Sequence, residues 1–314
     1  MTLELSSFEK KEFLYNMPDS FQRVIIKVWR QHYEELYEPE TEKITSLSHA
    51  IDEILEIYKD NNQTLTHLRY VWMALILALV VEPTIKYYQP SCSIPEKTIR
   101  QINLWMLEVS ENIFNFNQES TESISSNSQY ENYSIIEDIN NNYNFNDSKL
   151  TSFQIWQEAL DVYSNAIKTL DFNQSLEALI EIVDDCLEGY AIFPGSQGRR
   201  ELFDWWLLEV VPAVWYLLPP NFIYTIDNLE NKDSIVGSQM EKLNSISSTI
   251  WSILSKSELS TLLSSLRNNH LSINPVSEAR VGWNEAFAKM AEKKDDILLY
   301  DCDTTSWDKA EWKW

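Results

Sequence analysis

An uninterrupted apolar run from Val71 to Val81 constrains the fold of this chain more than any other part of its sequence. Charged residues bound the run, which is about half as long as the roughly 20 residues that a membrane-spanning helix needs. We therefore expect no membrane span, but a buried helix from Leu65 to Glu82 that ends before Pro83.

The composition extends this expectation to the whole chain. Only 5 Gly accompany 12 Trp, 15 Tyr and 12 Phe, which argues against glycine-rich phosphate loops and the turns of a β-sandwich and favours long helices. The hydrophobic content of 44% is enough for a sizeable core. We predict an all-α fold.

Stripes of apolar residues at helical spacing predict the other helices. Apart from the buried helix, we expect helices within residues 8–37, broken at Pro18, and at 45–58, 96–114, 153–170, 176–190, 199–217, 240–254 and 257–266. We expect Pro212 to kink the helix that contains it. Residues 115–149 are rich in Asn, Ser and acidic side chains and are interpreted as a flexible linker.

The two sides of this linker share a weak internal duplication. Glu82, a proline loop and the helix with Trp105 correspond in order to Glu188, a proline loop and the helix with Trp206. This order predicts two similar helical hairpins. The predicted division of the chain is a helical lobe at 1–114, a linker at 115–150, a second helical lobe at 151–276 and a tail at 277–314.

The charge of the chain limits its partners. A formal net charge of -23 at pH 7 argues against direct nucleic-acid binding, which needs a basic face, and favours a basic protein partner. Cys92, Cys186 and Cys302 lie far apart without a CxxC pair, so we predict neither a disulfide framework nor a zinc site. With no apolar signal-peptide region near residue 1, these features predict a cytoplasmic protein.

The segment 277–314 has a pattern of its own. Its first half reads as an amphipathic helix capped by Ser277, and acidic residues alternate with large aromatic ones after Lys294. We predict that the following residues bind a partner: Trp283, Phe287, Met290, Asp295, Asp296, Trp307, Asp308, Trp312 and Trp314. Trp supplies a large apolar contact area at low rotamer cost, and carboxylates steer a basic partner. The alternative is a C-terminal helix that packs on its own domain.

The segment contains the runs Arg280-x-Gly282-Trp283-x-Glu285-Ala286-Phe287, Met290-Ala291-Glu292, Asp295-Asp296-x-Leu298-Leu299 and Trp307-Asp308-x-x-Glu311-Trp312-x-Trp314. This spacing resembles the C-terminal toxin-binding segment of bacterial AbrB/MazE-type antitoxins. In that family the segment follows a small swapped-hairpin DNA-binding domain and wraps a MazF/PemK-type endoribonuclease, covering its RNA site. The resemblance implies a non-enzymatic antitoxin whose tail occludes the RNA groove of such a toxin. It covers residues 278–314, and neither an AbrB-like β domain nor another family signature is recognised in 1–276.

A candidate anion site lies where Arg199 and Arg200 open a helix behind the glycines Gly195 and Gly198. Backbone amides at a helix start and two guanidinium groups suit a phosphate or a carboxylate. The alternative is that the glycines make the turn and nearby acidic side chains pair with the arginines.

We predict no catalytic residues, metal site or cofactor. Glutamates at duplicated positions suggest a carboxylate metal site, but no ExxH motif accompanies them; they are Glu82, Glu108, Glu188 and Glu209. The isolated histidines are interpreted as surface or capping groups; they are His32, His49, His67 and His270.

The rival functions are a helical scaffold or immunity-like protein that binds through its helical body, and an enzyme that uses Arg199 and Arg200.

Overall fold

The computed structural model describes residues 17–31, 33, 36, 46–59, 62–115, 132, 134–140, 150–188, 198–225 and 231–254. Of this described part of the chain, 83% is helical and none is strand, which confirms the predicted all-α fold.

Most of the described residues belong to helices. In chain order they are α1 Asp19–Arg30, α2 Leu47–Glu56, α3 Gln63–Tyr88, α4 Ile94–Asn115, α5 134–140, α6 Leu150–Lys168, α7 Phe172–Glu188, α8 Arg199–Trp205, α9 Val211–Trp215 and α10 Lys232–Leu254. A π-helical turn, Trp206–Val210, joins α8 to α9. The predicted helix at 257–266 lies outside the described residues.

Helix α3 is the centre of the core. Every side chain from Val71 to Val81 is buried, and α4, α6, α7 and α9 all pack against this helix. The prediction of a buried helix is therefore confirmed. By length and hydropathy α3 could cross a membrane, but 94% of its apolar window is buried inside the protein, as in the core helix of a soluble protein.

Helix α3 does not end before Pro83, and that prediction was wrong. Proline has no N–H, so a proline inside a helix leaves the carbonyl four residues earlier, here that of Leu79, without its helical donor. The buried side chain of Gln239 on α10 supplies a replacement, because its Nε2 donates to Leu79 O at 2.6 Å. The helix can therefore continue to Tyr88.

Long polar side chains connect α3 to its neighbours. Tyr163 Oη on α6 donates to Ala78 O at 2.7 Å, and Trp72 Nε1 donates to Leu218 O at 2.8 Å. Both side chains are buried among apolar groups, where an unmade hydrogen bond would be costly. These bonds fix the positions of α6 and of the chain after α9 along the central helix.

We expected Pro212 to kink the helix that contains it. The helix is irregular in the turn before this proline. The N–H of Val211 bonds Trp206 O, five residues earlier, which is the π-helical pattern. Helix α9 then ends at Trp215, and Leu217, two residues later, has a φ of 54°. This left-handed residue is usually glycine, but here a completely buried leucine side chain occupies it, and Leu218 N–H closes the end by bonding Ala213 O at 2.9 Å.

Helices from both sides of the predicted linker share one hydrophobic core. Helix α4 packs against α6 and α10, and α2 packs against α7. Within the linker range α5 is helical, and its Ile135 and Ile139 are buried.

By contacts between Cα atoms the chain divides into Met1–Asn269 and His270–Trp314, of which the second unit lies outside the described residues. The predicted division into lobes and the internal duplication stay predictions.

Candidate functional site

The residues predicted to bind a partner lie outside the part of the chain that the structure describes. They are Trp283, Phe287, Met290, Asp295, Asp296, Trp307, Asp308, Trp312 and Trp314. Their contacts therefore stay predictions.

Arg199 and Arg200, the candidate anion-binding residues, begin α8. Arg200 Nε lies 2.9 Å from Asp204 Oδ1, and Arg200 Nη2 donates to Trp29 O at 2.8 Å. The guanidinium of Arg200 thus has partners inside the protein. For Arg200 these contacts favour the alternative in which an acidic side chain pairs with the arginine.

Gly198 precedes α8 at a close approach of two side chains. A Cβ placed on it would lie 2.8 Å from Tyr224 Oη and 2.9 Å from Glu201 Oε2. A side chain at this position would require the ends of the Tyr224 and Glu201 side chains to move aside. Gly198 therefore lets these two side chains lie close to the backbone at the start of the helix.

Two of the glutamates at duplicated positions, Glu82 and Glu209, have partners within the protein. Glu82 Oε2 lies 3.5 Å from Lys242 Nζ on α10, and Glu209 Oε2 accepts a hydrogen bond of 2.8 Å from Asn221 Nδ2. No cluster among the described residues has the ligands to hold a metal ion.

A cavity of about 750 Å³ opens where the first turn of α3, the middle of α4, helix α5 and the α6–α7 connection meet. Helices from distant parts of the sequence build it: His67 comes from α3, Trp105 from α4, Ile136 from α5 and Phe172 from the start of α7. Its volume falls within the range of small-molecule sites, which are about 300–1,000 Å³.

His67 forms part of the inner wall of this cavity. Its side chain is 8% exposed, and Nε2 lies 2.7 Å from Thr169 O, which can only accept. Nε2 therefore carries the hydrogen, and the neutral ring has its lone pair on Nδ1. Burial lowers the pKa of His67, while the bond to Thr169 and the charge of Asp171 oppose that shift. The imidazole is accordingly neutral at neutral pH.

Two aromatic rings contact this imidazole. The Trp105 ring lies 4.5 Å from the His67 ring at 64°, and the Phe172 ring lies 5.3 Å away at 69°. Trp105 is buried, whereas Phe172 is 42% exposed. Phe172 is therefore the aromatic surface that an incoming molecule can contact.

The rim of the cavity carries one cation and one anion. Lys168 Nζ donates to Asn165 Oδ1 at 2.9 Å, and the Asp171 carboxylate accepts from Asn173 N at 3.0 Å and from Gln174 Nε2 at 2.8 Å. The formal charges of Lys168 and Asp171 cancel. The rim therefore has no strong preference for a charged molecule of either sign.

An acidic groove of about 490 Å³ between α6 and α7 adjoins this cavity and shares Lys168 with it. The pKa of Asp185 in the groove is raised to about 8, first by burial and then by the neighbouring carboxylates of Glu158 and Asp161. Asp185 Oδ2 is buried without a hydrogen-bond partner. The Asp185 carboxyl is therefore mostly protonated at pH 7.

The cavity was missed by sequence reasoning, which interpreted His67 as a surface or capping group. Its bond to Thr169, just after the last residue of α6, is a capping contact, but the ring is buried. Thr169 is 102 residues away in sequence, and the flanking rings belong to different helices. A histidine inside the most apolar helix was the available signal.

No family model, no curated protein and no solved structure matches this chain. The residues themselves and their geometry are therefore the basis for a function.

Proposed function

We propose that this chain is a cytoplasmic, non-enzymatic interaction protein of antitoxin type. Its segment 277–314 binds a MazF/PemK-type endoribonuclease and occludes the RNA groove of that enzyme. The observation that carries the proposal is the antitoxin-like spacing of tryptophans and carboxylates between Asp295 and Trp314.

The chemistry of the segment suits such a groove. A surface that binds RNA is basic, to neutralise phosphates, and has apolar places where bases stack. Asp295, Asp296 and Asp308 can occupy the positions of phosphates, and Trp307 and Trp312 those of bases. The net charge of -23 adds long-range attraction to a basic partner.

The helical body supports the proposal because it uses its own tryptophans internally. Tryptophans in the described residues are buried in the core or packed against it; they are Trp29, Trp72, Trp105, Trp156, Trp205, Trp206, Trp215 and Trp251. The large apolar side chains that the described residues expose are on separate elements; they are Tyr87, Leu104, Phe172 and Phe222. The described surface thus shows no broad apolar face that requires the tail as a cover.

A double substitution tests the proposal. Trp307→Ala with Trp312→Ala should abolish binding of the ribonuclease, because buried tryptophans dominate interface energies, and should leave the melting temperature of the body unchanged. Binding is measured by co-purification from native cells with a ribonuclease assay of the eluate, and stability by thermal unfolding.

The matched control is Lys309→Ala with Lys313→Ala, which changes the same part of the tail but removes no predicted anchor. It should retain the ribonuclease, since a more acidic tail still suits a basic groove. A large loss of thermal stability on removing the tryptophans would contradict the proposal, because it would show that they pack on the body.

A further inference from the structure

We propose that the cavity beside His67 is a binding site for a small, neutral, planar heteroaromatic molecule with a ring N–H, the chemical class of the indoles and benzimidazoles. This site belongs to the helical body and is independent of the function proposed for the tail.

The first argument is an unused acceptor. His67 is nine-tenths buried, its Nε2 hydrogen is committed to Thr169 O, and the described residues place no donor on Nδ1. A ligand inside the cavity can donate a hydrogen bond to this acceptor in place of water, so a ligand with such a donor is selected over one that has none.

The second argument is the shape of the walls. The rings of Trp105 and Phe172 both contact the imidazole, so a flat ligand that reaches His67 lies beside the exposed ring of Phe172. Aromatic rings pair favourably in offset or edge-to-face arrangements. The apolar side chain of Ile136 on α5 and that of Val109 on α4 extend the wall.

The third argument is charge. The charges of Lys168 and Asp171 on the rim cancel, and the neighbouring groove is lined by the carboxylates of Asp161, Glu177 and Glu181. An anion would be repelled by this groove, and the rim has no unopposed carboxylate for a cation. A neutral ligand therefore fits this electrostatic setting best.

Histidine NMR tests the site directly, with indole as the probe and the full chain labelled with ¹⁵N-histidine. The chain has 4 His, so few signals overlap. In the free protein we expect the Nε2–H tautomer for His67. Indole should shift the His67 Nδ1 signal in a saturable manner and leave the signal of His49, which is exposed on α2, in place.

The donor requirement is tested with 1-methylindole, which has the same ring without the N–H. Losing the hydrogen bond to Nδ1 should weaken its binding to the unsubstituted chain about five- to tenfold relative to indole. Equal affinities of the two probes would overturn the proposal, as would the absence of a shift at His67 at saturating indole.

The aromatic wall is tested with Phe172→Ala. This substitution should weaken indole binding about fivefold or more, because the indole ring then loses the aromatic side chain that it contacts. The matched control is Phe222→Ala, because Phe222 is similarly exposed at 48% and does not line the cavity. Indole affinity in the control should be unchanged. Equal losses in both variants would contradict the site, and the comparison of the two probes decides the question if Phe172→Ala unfolds.

Discussion

At the scale of single residues, Asp185 lowers the stability of the protein at neutral pH. Its carboxyl ionises near 3.8 in an unfolded chain and near 8 in the folded protein, because the folded environment is buried and surrounded by other carboxylates. Between these values the unfolded state binds fewer protons than the folded state, so the free energy of unfolding falls as the pH rises from about 4 to about 8.

Asp185→Asn removes this ionisation. The variant should be more stable than the unsubstituted chain by about 1–3 kcal/mol at pH 8, with little difference at pH 4. Urea unfolding at pH 4, 6 and 8 measures the gain. Glu241→Gln, on the exposed side of α10, is the control and should show no such pH-dependent gain. A gain for Asp185→Asn that is equal at all three pH values would refute the pKa assignment.

The burial and the partners of polar residues in α3 were hard to predict. His67 was interpreted as a surface or capping group although it lies in an apolar helix, and the partners of His67 and Arg69 come from remote parts of the chain. His67 bonds Thr169 O, and Arg69 donates to Trp215 O while its guanidinium lies 3.9 Å from the Trp215 ring. Tertiary contacts of this kind leave no local pattern in a sequence.

At the scale of elements, the passage of α3 through Pro83 depends on Gln239. Gln239→Met leaves Leu79 O without a donor in a buried place and should cost about 1–3 kcal/mol of stability. Pro83→Ala restores the backbone N–H that bonds this carbonyl in a regular helix. In the Pro83→Ala background, Gln239→Met should therefore cost at least about 1 kcal/mol less. Chemical denaturation of the four proteins measures this coupling.

Ser247→Ala is the control for this cycle, because Ser247 is also buried on α10 and donates to another carbonyl, Leu217 O, at 2.8 Å. Its cost should be the same with either residue at position 83. If the cost of Gln239→Met is also independent of position 83, Gln239 does not compensate for the proline.

Periodicity predicted which elements exist better than where they end. The helices that became α4, α6 and α7 were expected within a few residues of their positions, since apolar stripes mark a buried helix face. The end of α3 was misplaced because the rule for proline is local, whereas the donor that satisfies Leu79 O lies 160 residues away. The π-helical turn has no sequence signature that we recognise.

At the scale of the whole molecule, composition predicted the fold class. Scarce glycine and abundant aromatic residues required long helices around a large core, and the described residues form such a core about α3. Which helices pack against each other was not predictable. Packing between remote segments depends on how their side chains fit together in three dimensions, and a single sequence does not show this fit. The cavity depends on that packing and was missed for the same reason.

The central claim is that the body folds around its own core while segment 277–314 binds a toxin ribonuclease. The most direct test is affinity purification from native cells of the full-length chain beside a truncation that ends at Val276, with the bound proteins identified by mass spectrometry and assayed for ribonuclease activity. We predict a small basic ribonuclease with the full-length chain only, inhibited while bound. The same partners with both chains would contradict the account and would place binding on the helical body.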